Sequence, residues 1–167
     1  MWRVEARLYL GDYESGKRAL SGARIATEPE GKHAPFAGIV SLCPLPLLLG
    51  DARSEPASEL TEWLHLPIFD GGNGEDEFEA ALGIALPFIV RRRLRGNVLV
   101  HCAAGMSRSV SVLAGYLCSQ GFDVEEAYEH IALAKSRALG VSPIEALDLI
   151  APASEFRACL ERLFRAP

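Results

Sequence analysis

Four residues with reactive or charged side chains stand close together in the second half of the chain: His101, Cys102, Arg108 and Ser109. An apolar run ends at His101, and an apolar helical pattern begins after Ser109, so the spacing predicts a strand, a short loop and a helix. The loop, residues 102–108, is called the cradle loop below. It brings a thiol to the start of a helix, where N–H groups are unpaired and the helix dipole is positive.

This arrangement suits the binding of an oxyanion and its attack by sulfur. The positive helix end favours the thiolate form of Cys102, and Gly105 permits the positive φ that a tightly curled loop needs. Arg108 offers a planar fork of N–H groups that matches two phosphate oxygens, and Ser109 can donate its hydroxyl proton to the sulfur. We therefore predict a nucleophilic cysteine in a phosphate-binding loop. Its expected phosphate-binding residues are Ala103, Ala104, Gly105, Met106, Ser107 and Arg108.

The stretch H-C-x5-R-S, from His101 to Ser109, resembles the signature of cysteine-dependent protein phosphatases, and most of all the small dual-specificity class. The phrase LYLG at residues 8–11 resembles the start of their domains, so the resemblance covers most of the chain. It implies a protein tyrosine phosphatase-like α/β fold and hydrolysis through a phosphocysteine, with no metal or cofactor. The Ser-Pro pair at 142–143 departs from the Pro-Asn that relatives often have, which puts the contacts behind the cradle loop in doubt.

The resemblance implies roles for two further residues. The family's histidine before the nucleophile orders the cysteine backbone and stabilises the thiolate, and His101 stands in that position. A general acid on a separate loop protonates the leaving oxygen. Asp70 is our candidate because it ends an apolar strand pattern, precedes a Gly-rich loop and stands thirty-two residues before Cys102. An ordinary loop aspartate is the alternative for Asp70. Glu75 and Asp76 are rival acids, although they fit better as negative charges at a helix start.

Cys43 is a candidate redox partner of Cys102. It ends the apolar run 38–43, and Cys102 follows the predicted strand 97–101. Strand ends on one side of a parallel sheet are neighbours, so the two sulfurs can approach disulfide distance. Some members of the family use a cysteine at the matching strand end as a resolving thiol that prevents over-oxidation. A buried cysteine that packs as a small hydrophobic residue is an equal alternative for Cys43.

The basic run RRRLR at residues 91–95 offers positive charge for a phosphate or protein docking patch. It precedes the predicted strand 97–101, whose other end carries Cys102, and about five residues at ~3.3 Å each separate the two ends. We therefore expect the run at the end of the sheet away from the cradle loop, as favourable cations at a helix C-terminus.

Length and composition are those of a single globular domain, taken as residues 1–167. The chain is 49% hydrophobic, and its net charge of -5 argues against nucleic acid or an anionic membrane as a main partner. No apolar run approaches the ~20 residues that cross a bilayer, and residues 1–5 lack the apolar core of a signal peptide, so a cytoplasmic location is expected. The oligomeric state stays open. Cysteines 43, 102, 118 and 159 form no C-x-x-C pair, which predicts neither a zinc site nor a disulfide framework.

Hydrophobic patterns predict strands over 3–10, 38–43, 63–69 and 97–101, and helices over 13–20, 76–93, 107–120, 124–135, 142–150 and 155–164. Residues 27–37 and 50–59 are predicted loops. Helix caps are expected at Asp12, at Asp123 with Glu126, and at Ser154, and Pro87 should kink or break its helix. The order of elements predicts an α/β domain with a central, mostly parallel sheet of about four to five strands and helices on both faces.

The leading interpretation is a phosphoprotein phosphatase that acts on phosphotyrosine, with phosphoserine and phosphothreonine as further candidates. A phosphoinositide or RNA 5′-phosphatase on the same fold is the alternative. Those relatives often carry extra basic residues in the loop, whereas Ala103, Ala104 and Met106 are neutral and residues 75–79 are rich in acid. A non-catalytic phosphopeptide-binding module is disfavoured because nucleophile, arginine and acid are all present. A sulfurtransferase would not need the His-Cys pair or the distant aspartate.

Overall fold

Five strands form the sheet whose centre carries the cradle loop. The computed structural model describes residues 1–26, 33–44, 56, 58–73 and 75–165. The strands are β1 (Trp2–Glu5), β2 (Leu8–Gly11), β3 (Arg24–Ala26), β4 (His33–Pro35), β5 (Gly38–Ser41), β6 (Glu62–His65) and β7 (Val98–His101). The main sheet has the order β1-β2-β7-β5-β6, and β3 pairs with β4 separately. Only β1 runs antiparallel to its neighbour within the main sheet, which confirms the predicted mostly parallel α/β architecture.

Helices cover both faces of this sheet, as the sequence predicts. They are α1 (Tyr13–Leu20), α2 (Glu75–Arg93), α3 (Arg108–Ser119), α4 (Val124–Leu139), a 3₁₀ helix (Pro143–Leu149) and α5 (Ser154–Leu163). α1 lies against β2, β5 and β7 on one face. α2, α3 and α4 cover the other face, and α5 packs on the outside of α2 and α3. No helix in the described ranges is long and apolar enough to cross a bilayer.

The central strand β7 is apolar up to His101, its last residue, because it is buried on both faces. Leu99 packs with Leu20, Phe36 and Ile39 in the smaller core beneath α1. Val98 and Val100 point the other way, into the larger core shared with α2 to α5. Successive side chains of a strand alternate between the two faces, so a strand with helices on both sides has no polar face.

Two predicted caps are present where helices begin. Asp12 accepts a hydrogen bond from Ser15 N at 2.9 Å and starts α1. Asp123 accepts one from Glu126 N at 2.7 Å, while the Glu126 carboxylate accepts one from Asp123 N at 3.3 Å. This reciprocal capping box starts α4. The third prediction was wrong, because Ser154 is already helical and Ala153 is the N-cap of α5, with no side-chain hydrogen bond.

The structure also corrects several predicted boundaries. The segment 3–10 is two antiparallel strands rather than one, because the chain turns at Arg7, whose φ is +59°. α2 is one continuous helix through Pro87, since apolar side chains before and after the proline, Leu82 and Ile89 among them, share one core. Residues 33–35, predicted as loop, form β4. Residues 27–32 of the predicted loop 27–37 lie outside the described residues, as do most residues of the predicted loop 50–59.

Candidate active site

The cradle loop starts where the central strand ends, and Cys102 lies at its base. The Cys102 side chain is 1% exposed. Its Sγ lies 3.1 Å from Ser109 Oγ and accepts a hydrogen bond from Gly105 N at 3.3 Å. Gly105 has φ +66°, and a Cβ atom there would lie 2.7 Å from the ring of Trp2. Glycine is therefore needed at this position both for the backbone conformation and for the space that Trp2 occupies.

Other elements hold the outer side of the cradle loop. Three of its carbonyl groups accept hydrogen bonds: Ala103 O from Tyr13 N at 2.9 Å, Gly105 O from Lys135 Nζ at 2.9 Å, and Met106 O from Ala151 N at 2.8 Å. In a trans peptide the N–H group points opposite to the carbonyl. Tying these carbonyls outward therefore turns the N–H groups of residues 104, 106 and 107 toward the concave side, where an oxyanion can accept from them.

Lys135 is a residue of the site that the sequence interpretation missed. Its side chain is 5% exposed, and Nζ donates to Leu149 O at 2.9 Å as well as to the cradle loop. Nζ also lies 4.4 Å from the centre of the Trp2 ring. Burial lowers the pKa of Lys135, while the negative charges of Cys102 and Asp12 act in the opposite direction. The available signal was a lysine on the apolar face of a predicted amphipathic helix.

Arg108 combines a structural contact with a free binding edge. Its Nη1 donates to Leu42 O and to Ile68 O, both at 3.2 Å. Nη2 lies 3.6 Å from Oδ2 of Asp70. Nε is buried and has no hydrogen-bond partner among the described residues. With Nη1 committed to two carbonyls, the edge formed by Nε and Nη2 is the one that can bind two oxygens of a phosphate.

β6 ends at His65 rather than at residue 69 as predicted, so Asp70 lies within the loop that follows the strand and not at the strand's end. Residues 69–73 of this loop are called the acid loop below. The Asp70 side chain is 47% exposed and reaches Arg108, so the structure brings the predicted acid and the predicted phosphate ligand together. The side chain of the rival Glu75 lies outside the described residues. Asp76 is exposed in the first turn of α2, and its charge acts on Arg162, which is ion-paired with Glu79.

The acid loop is closed by a single amide side chain. Phe69 N donates to Asn73 Oδ1 at 2.9 Å, and Asn73 Nδ2 donates back to Phe69 O at 2.9 Å. The two bonds fasten the residue before Asp70 to the end of the loop. Asn73 is a second residue that the sequence interpretation did not single out, although an Asn behind two glycines is a typical turn residue.

His101 is buried between α1 and β5 and belongs to a chain of hydrogen bonds. Trp63 Nε1, which can only donate, lies 2.9 Å from Ser41 Oγ, and Ser41 Oγ lies 2.6 Å from His101 Nε2. His101 Nδ1 lies 3.3 Å from the carbonyl of Cys102, which can only accept. These roles place the ring proton on Nδ1, which donates to the Cys102 carbonyl. The Ser41 hydroxyl then donates its hydrogen bond to Nε2, which accepts it. Glycine at position 16 leaves space for the His101 ring, because a Cβ atom there would lie only 2.1 Å from His101 Cε1.

The imidazole of His101 is neutral in this environment. Burial lowers its pKa to about 4, against the opposing effect of the Cys102 carbonyl. The hydrogen bond to that carbonyl fits the expected ordering of the cysteine backbone. A neutral ring carries no net positive charge, so direct charge stabilisation of a thiolate falls to other groups.

Cys43 is fully buried and lies two residues beyond the end of β5, not at its last residue as predicted. β5 and β7 are parallel neighbours whose pairing ends at Ser41 and His101. One further hydrogen bond, from Leu42 N to His101 O at 3.0 Å, continues the contact past the end of β5. Cys43 packs in the core beneath α1, whereas Cys102 belongs to the opposite core. Burial and the negative charge of Cys102 raise the pKa of Cys43. Both thiols are free.

The basic run lies at the other end of the sheet, as predicted. Arg91 and Arg92 pair with Glu62 at the start of β6, and Arg93 donates to the Tyr116 hydroxyl. Within the described part of the chain no group of three or more His, Cys, Asp or Glu residues is placed to hold a metal ion.

Comparison with known protein families identifies a family model that matches this chain. The model described as "Dual specificity phosphatase, catalytic domain" matches residues 49–147, which include the acid loop and the cradle loop. Among curated proteins, human dual specificity protein phosphatase 12 is 30% identical over 140 residues. That alignment covers 83% of this chain and 37% of the human protein, so the chain spans little more than a third of that relative.

Solved structures share the fold. Human DUSP28 superposes with a TM-score of 0.61 at 20% identity, over 97% of this chain and 94% of that one. PTPMT1 in complex with PI(5)P superposes with a TM-score of 0.65 at 19% identity, over 98% and 93% of the two chains. At these identities the solved structures establish only the fold of this chain. Any statement about its chemistry has to rest on the arrangement of its own side chains.

Proposed function

Because the chain belongs to the dual-specificity phosphatase family, we propose that it hydrolyses phosphate monoesters on proteins through a phosphocysteine on Cys102. The proposed substrates are phosphotyrosine and, with it, phosphoserine and phosphothreonine. The observation that carries the proposal is the set of donors around one buried sulfur. Gly105 N and Ser109 Oγ contact Cys102 Sγ, and the free edge of Arg108 lies beside Asp70.

In the first step Cys102 Sγ attacks phosphorus, so an S–P bond forms as the bond to the leaving oxygen breaks. The inward N–H groups of the cradle loop and the free edge of Arg108 stabilise the three equatorial oxygens as charge develops on them. Asp70 donates its proton to the leaving oxygen. The products of this step are the phosphocysteine and a neutral alcohol or phenol.

In the second step water attacks the phosphocysteine. Asp70, now ionised, takes a proton from the water, and the S–P bond breaks to release inorganic phosphate. The Ser109 hydroxyl donates to the departing sulfur, since its oxygen lies 3.1 Å from Sγ. This bond stabilises Cys102 as a thiolate leaving group.

A phosphoinositide is the second candidate substrate. The fold of PTPMT1, solved with PI(5)P, supports this class. The loop itself favours a substrate with one phosphate, because Ala103, Ala104 and Met106 bring no positive charge to the oxygens of a second one.

The test measures phosphate release from a phosphotyrosine peptide, a phosphoserine peptide and PI(5)P, each with EDTA present, for the wild type and Cys102→Ser. We expect the wild type to hydrolyse the phosphotyrosine peptide. The variant should lose turnover and still bind the peptide, because the cradle loop remains. Hydrolysis by pure Cys102→Ser would overturn the mechanism, and a preference for PI(5)P would replace the substrate class. Binding without turnover by the wild type would mark a phosphopeptide-binding module.

A further inference from the structure

The carboxylate of Glu155 joins the acid loop to the first turn of α5. Gly72 N donates to Glu155 Oε2 at 3.0 Å. Asn73 N and Asn73 Nδ2 both donate to Oε1, at 3.0 Å and 2.8 Å. The partners are 82 and 83 residues apart in sequence, so these bonds are tertiary contacts. Both oxygens of Glu155 are therefore committed to the acid loop.

These bonds reach Asp70 through Asn73. The Asn73 side chain is the one that closes the loop on Phe69, the residue directly before Asp70. Glu155 accepts from the same Asn73 amide group, so it fixes the orientation of the side chain that fixes the loop. The hydrogen bonds from Asn73 and Gly72 also lower the pKa of Glu155, which keeps the carboxylate ionised as an acceptor.

The segment that carries Glu155 also holds the cradle loop. Ala151 N donates to Met106 O at 2.8 Å, and Ala153 N donates to Ser107 Oγ at 3.2 Å. Residues 149–155, called the brace below, thus contact the loop of the nucleophile at one end and the loop of the acid at the other. The brace begins at Leu149, the last residue of the 3₁₀ helix.

A simpler role for Glu155 is that of a negative charge in the first turn of α5. That role requires the position on the helix and no contact with the acid loop. The observed geometry is more specific, because three N–H donors of the loop converge on the two carboxylate oxygens.

We propose that Glu155 is a positioning residue that holds Asp70 at a set distance from Cys102, through the brace that ties both loops together. The inference rests on the proposed function, because it assigns Glu155 to the orientation of the acid in that reaction. Glu155 touches neither substrate nor sulfur, and its effect passes entirely through Asp70. The consequence is that Glu155 affects kcat/KM, which reports the first step, only for substrates whose leaving oxygen needs a proton.

The test compares kcat/KM of the wild type and Glu155→Gln on phenyl phosphate and dinitrophenyl phosphate. Glutamine keeps the size of the side chain but offers one acceptor oxygen in place of two. We expect about a 10-fold loss on phenyl phosphate, because small misplacements of a catalytic group are costly, and a loss below about 2-fold on dinitrophenyl phosphate, whose leaving group needs no proton. The ratio of the two values is independent of the folded fraction of the sample.

Glu161→Gln is the matched control on the same helix, since Glu161 pairs with Arg157 rather than with the acid loop. Its ratio should equal that of the wild type. A second arm adds Glu155→Gln to Asp70→Asn, where we expect no further loss, because the residue through which Glu155 acts is already inactive.

Equal losses on the two substrates, or a further loss in the Asp70→Asn background, would overturn the inference and leave Glu155 as a stabilising charge of α5. A wild type that hydrolyses neither substrate would overturn the proposed function itself. Wild-type turnover with an unchanged ratio in Glu155→Gln would overturn the inference alone.

Discussion

The cradle loop and the acid loop face the same site but are held in different ways. The cradle loop is held through backbone carbonyls by α1, α4 and the brace, and Cys102 within it is 1% exposed. The acid loop is held by side chains, those of Asn73 and Glu155 and that of Arg108 through Asp70, and Phe69 within it is 73% exposed. The first loop has a buried base, with only Ala103 and Ala104 exposed, and is held by several elements, while the second lies at the surface and depends on fewer contacts.

This difference follows from what each loop has to recognise. The phosphate group is the same in every monoester, so rigid donors aimed at its oxygens act with little reorganisation. The leaving group varies from substrate to substrate, and the acid must reach its oxygen from an open side of the site. A change in the cradle loop should therefore affect all substrates alike, whereas a change in the acid loop should affect them according to their leaving groups.

The largest effect that separates the two loops is expected for Asp70→Ala. It should lower kcat by ~10²–10⁴ on alkyl and aryl phosphates, the usual range for loss of a general acid. The loss in kcat/KM, which reports the first step, should shrink for leaving groups that need no proton. Steady-state rates across a series of aryl phosphates measure this. If Glu75→Ala or Asp76→Ala shows the pattern instead, Asp70 is not the acid.

A smaller and uniform loss is expected for Lys135→Met, which removes a cation from behind the cradle loop while keeping a chain of similar length. Gly105 O and Leu149 O lose their common donor. We expect kcat/KM to fall about 10-fold on good and poor leaving groups alike, since the phosphate donors shift together. Lys17→Met, at an exposed position of α1, is the control. A loss that grows with poorer leaving groups would contradict the distinction between the loops.

The imidazole of His101, which lies behind the nucleophile, should be uncharged at physiological pH. Burial lowers the pKa of His101 to about 4, so below the usual value of about 6.5 the unfolded chain binds a proton that the folded chain does not. The resulting destabilisation of the folded state is nearly absent above about pH 7 and grows as the pH falls. It should remove about 2 kcal/mol from the free energy of unfolding between pH 7 and pH 5.

Imidazole signals in NMR spectra of the folded protein test this assignment. The His101 ring should show no protonation between pH 8 and pH 5. A midpoint near the usual histidine value would mean that a charged His101 stands behind Cys102, and the neutral hydrogen-bond chain from Trp63 would be wrong.

The smallest effect on untreated activity is expected for Cys43→Ser, within about 2-fold, because no catalytic contact is assigned to Cys43. Peroxide oxidises a Cys102 thiolate to the sulfenic acid and is itself reduced to water. The Cys43 thiol then attacks that sulfur, forming a disulfide and releasing water, and dithiothreitol restores both thiols. The serine variant should recover less activity after peroxide, and mass spectrometry should detect the 43–102 disulfide only in the wild type.

Cys118→Ser is the control for this experiment, since burial raises the pKa of Cys118 to about 11 and it lies in α3. Equal recovery in the wild type and Cys43→Ser would leave Cys43 as a core residue. A Cα separation of Cys43 and Cys102 well above ~7 Å would preclude the bond without backbone movement.

Local patterns predicted the elements whose contacts are close in sequence. The box of Asp123 and Glu126 spans one helical turn, and the apolar run before His101 becomes β7 because both faces of that strand are covered. Two alternatives, a helix broken at Pro87 and a single strand over residues 3–10, failed because neighbours in space decided the outcome. Pro87 stays within one helix because the core packs on both sides of it, and the alternation over residues 3–10 does not reveal the turn at Arg7.

The cradle loop could be read from the sequence because its parts are contiguous. Strand, loop and helix follow one another within a dozen residues, and the spacing of Cys102, Gly105 and Arg108 suits a loop that wraps a phosphate. Steric and hydrogen-bonding rules that act over a few residues determine such a unit. The family resemblance rests on the same stretch and is confirmed by the family match.

Only the tertiary structure decided what holds that loop and its acid in place. Lys135 lies 30 residues from the carbonyl it binds, and Glu155 lies 82 residues from Asn73. No periodic pattern or characteristic spacing in the sequence indicates either pairing, because each depends on how α4 and the brace pack against the sheet. A lysine on an apolar helix face and a glutamate in a first helical turn are ordinary in sequence. Their partners become visible only when folding brings distant backbone groups within hydrogen-bond distance.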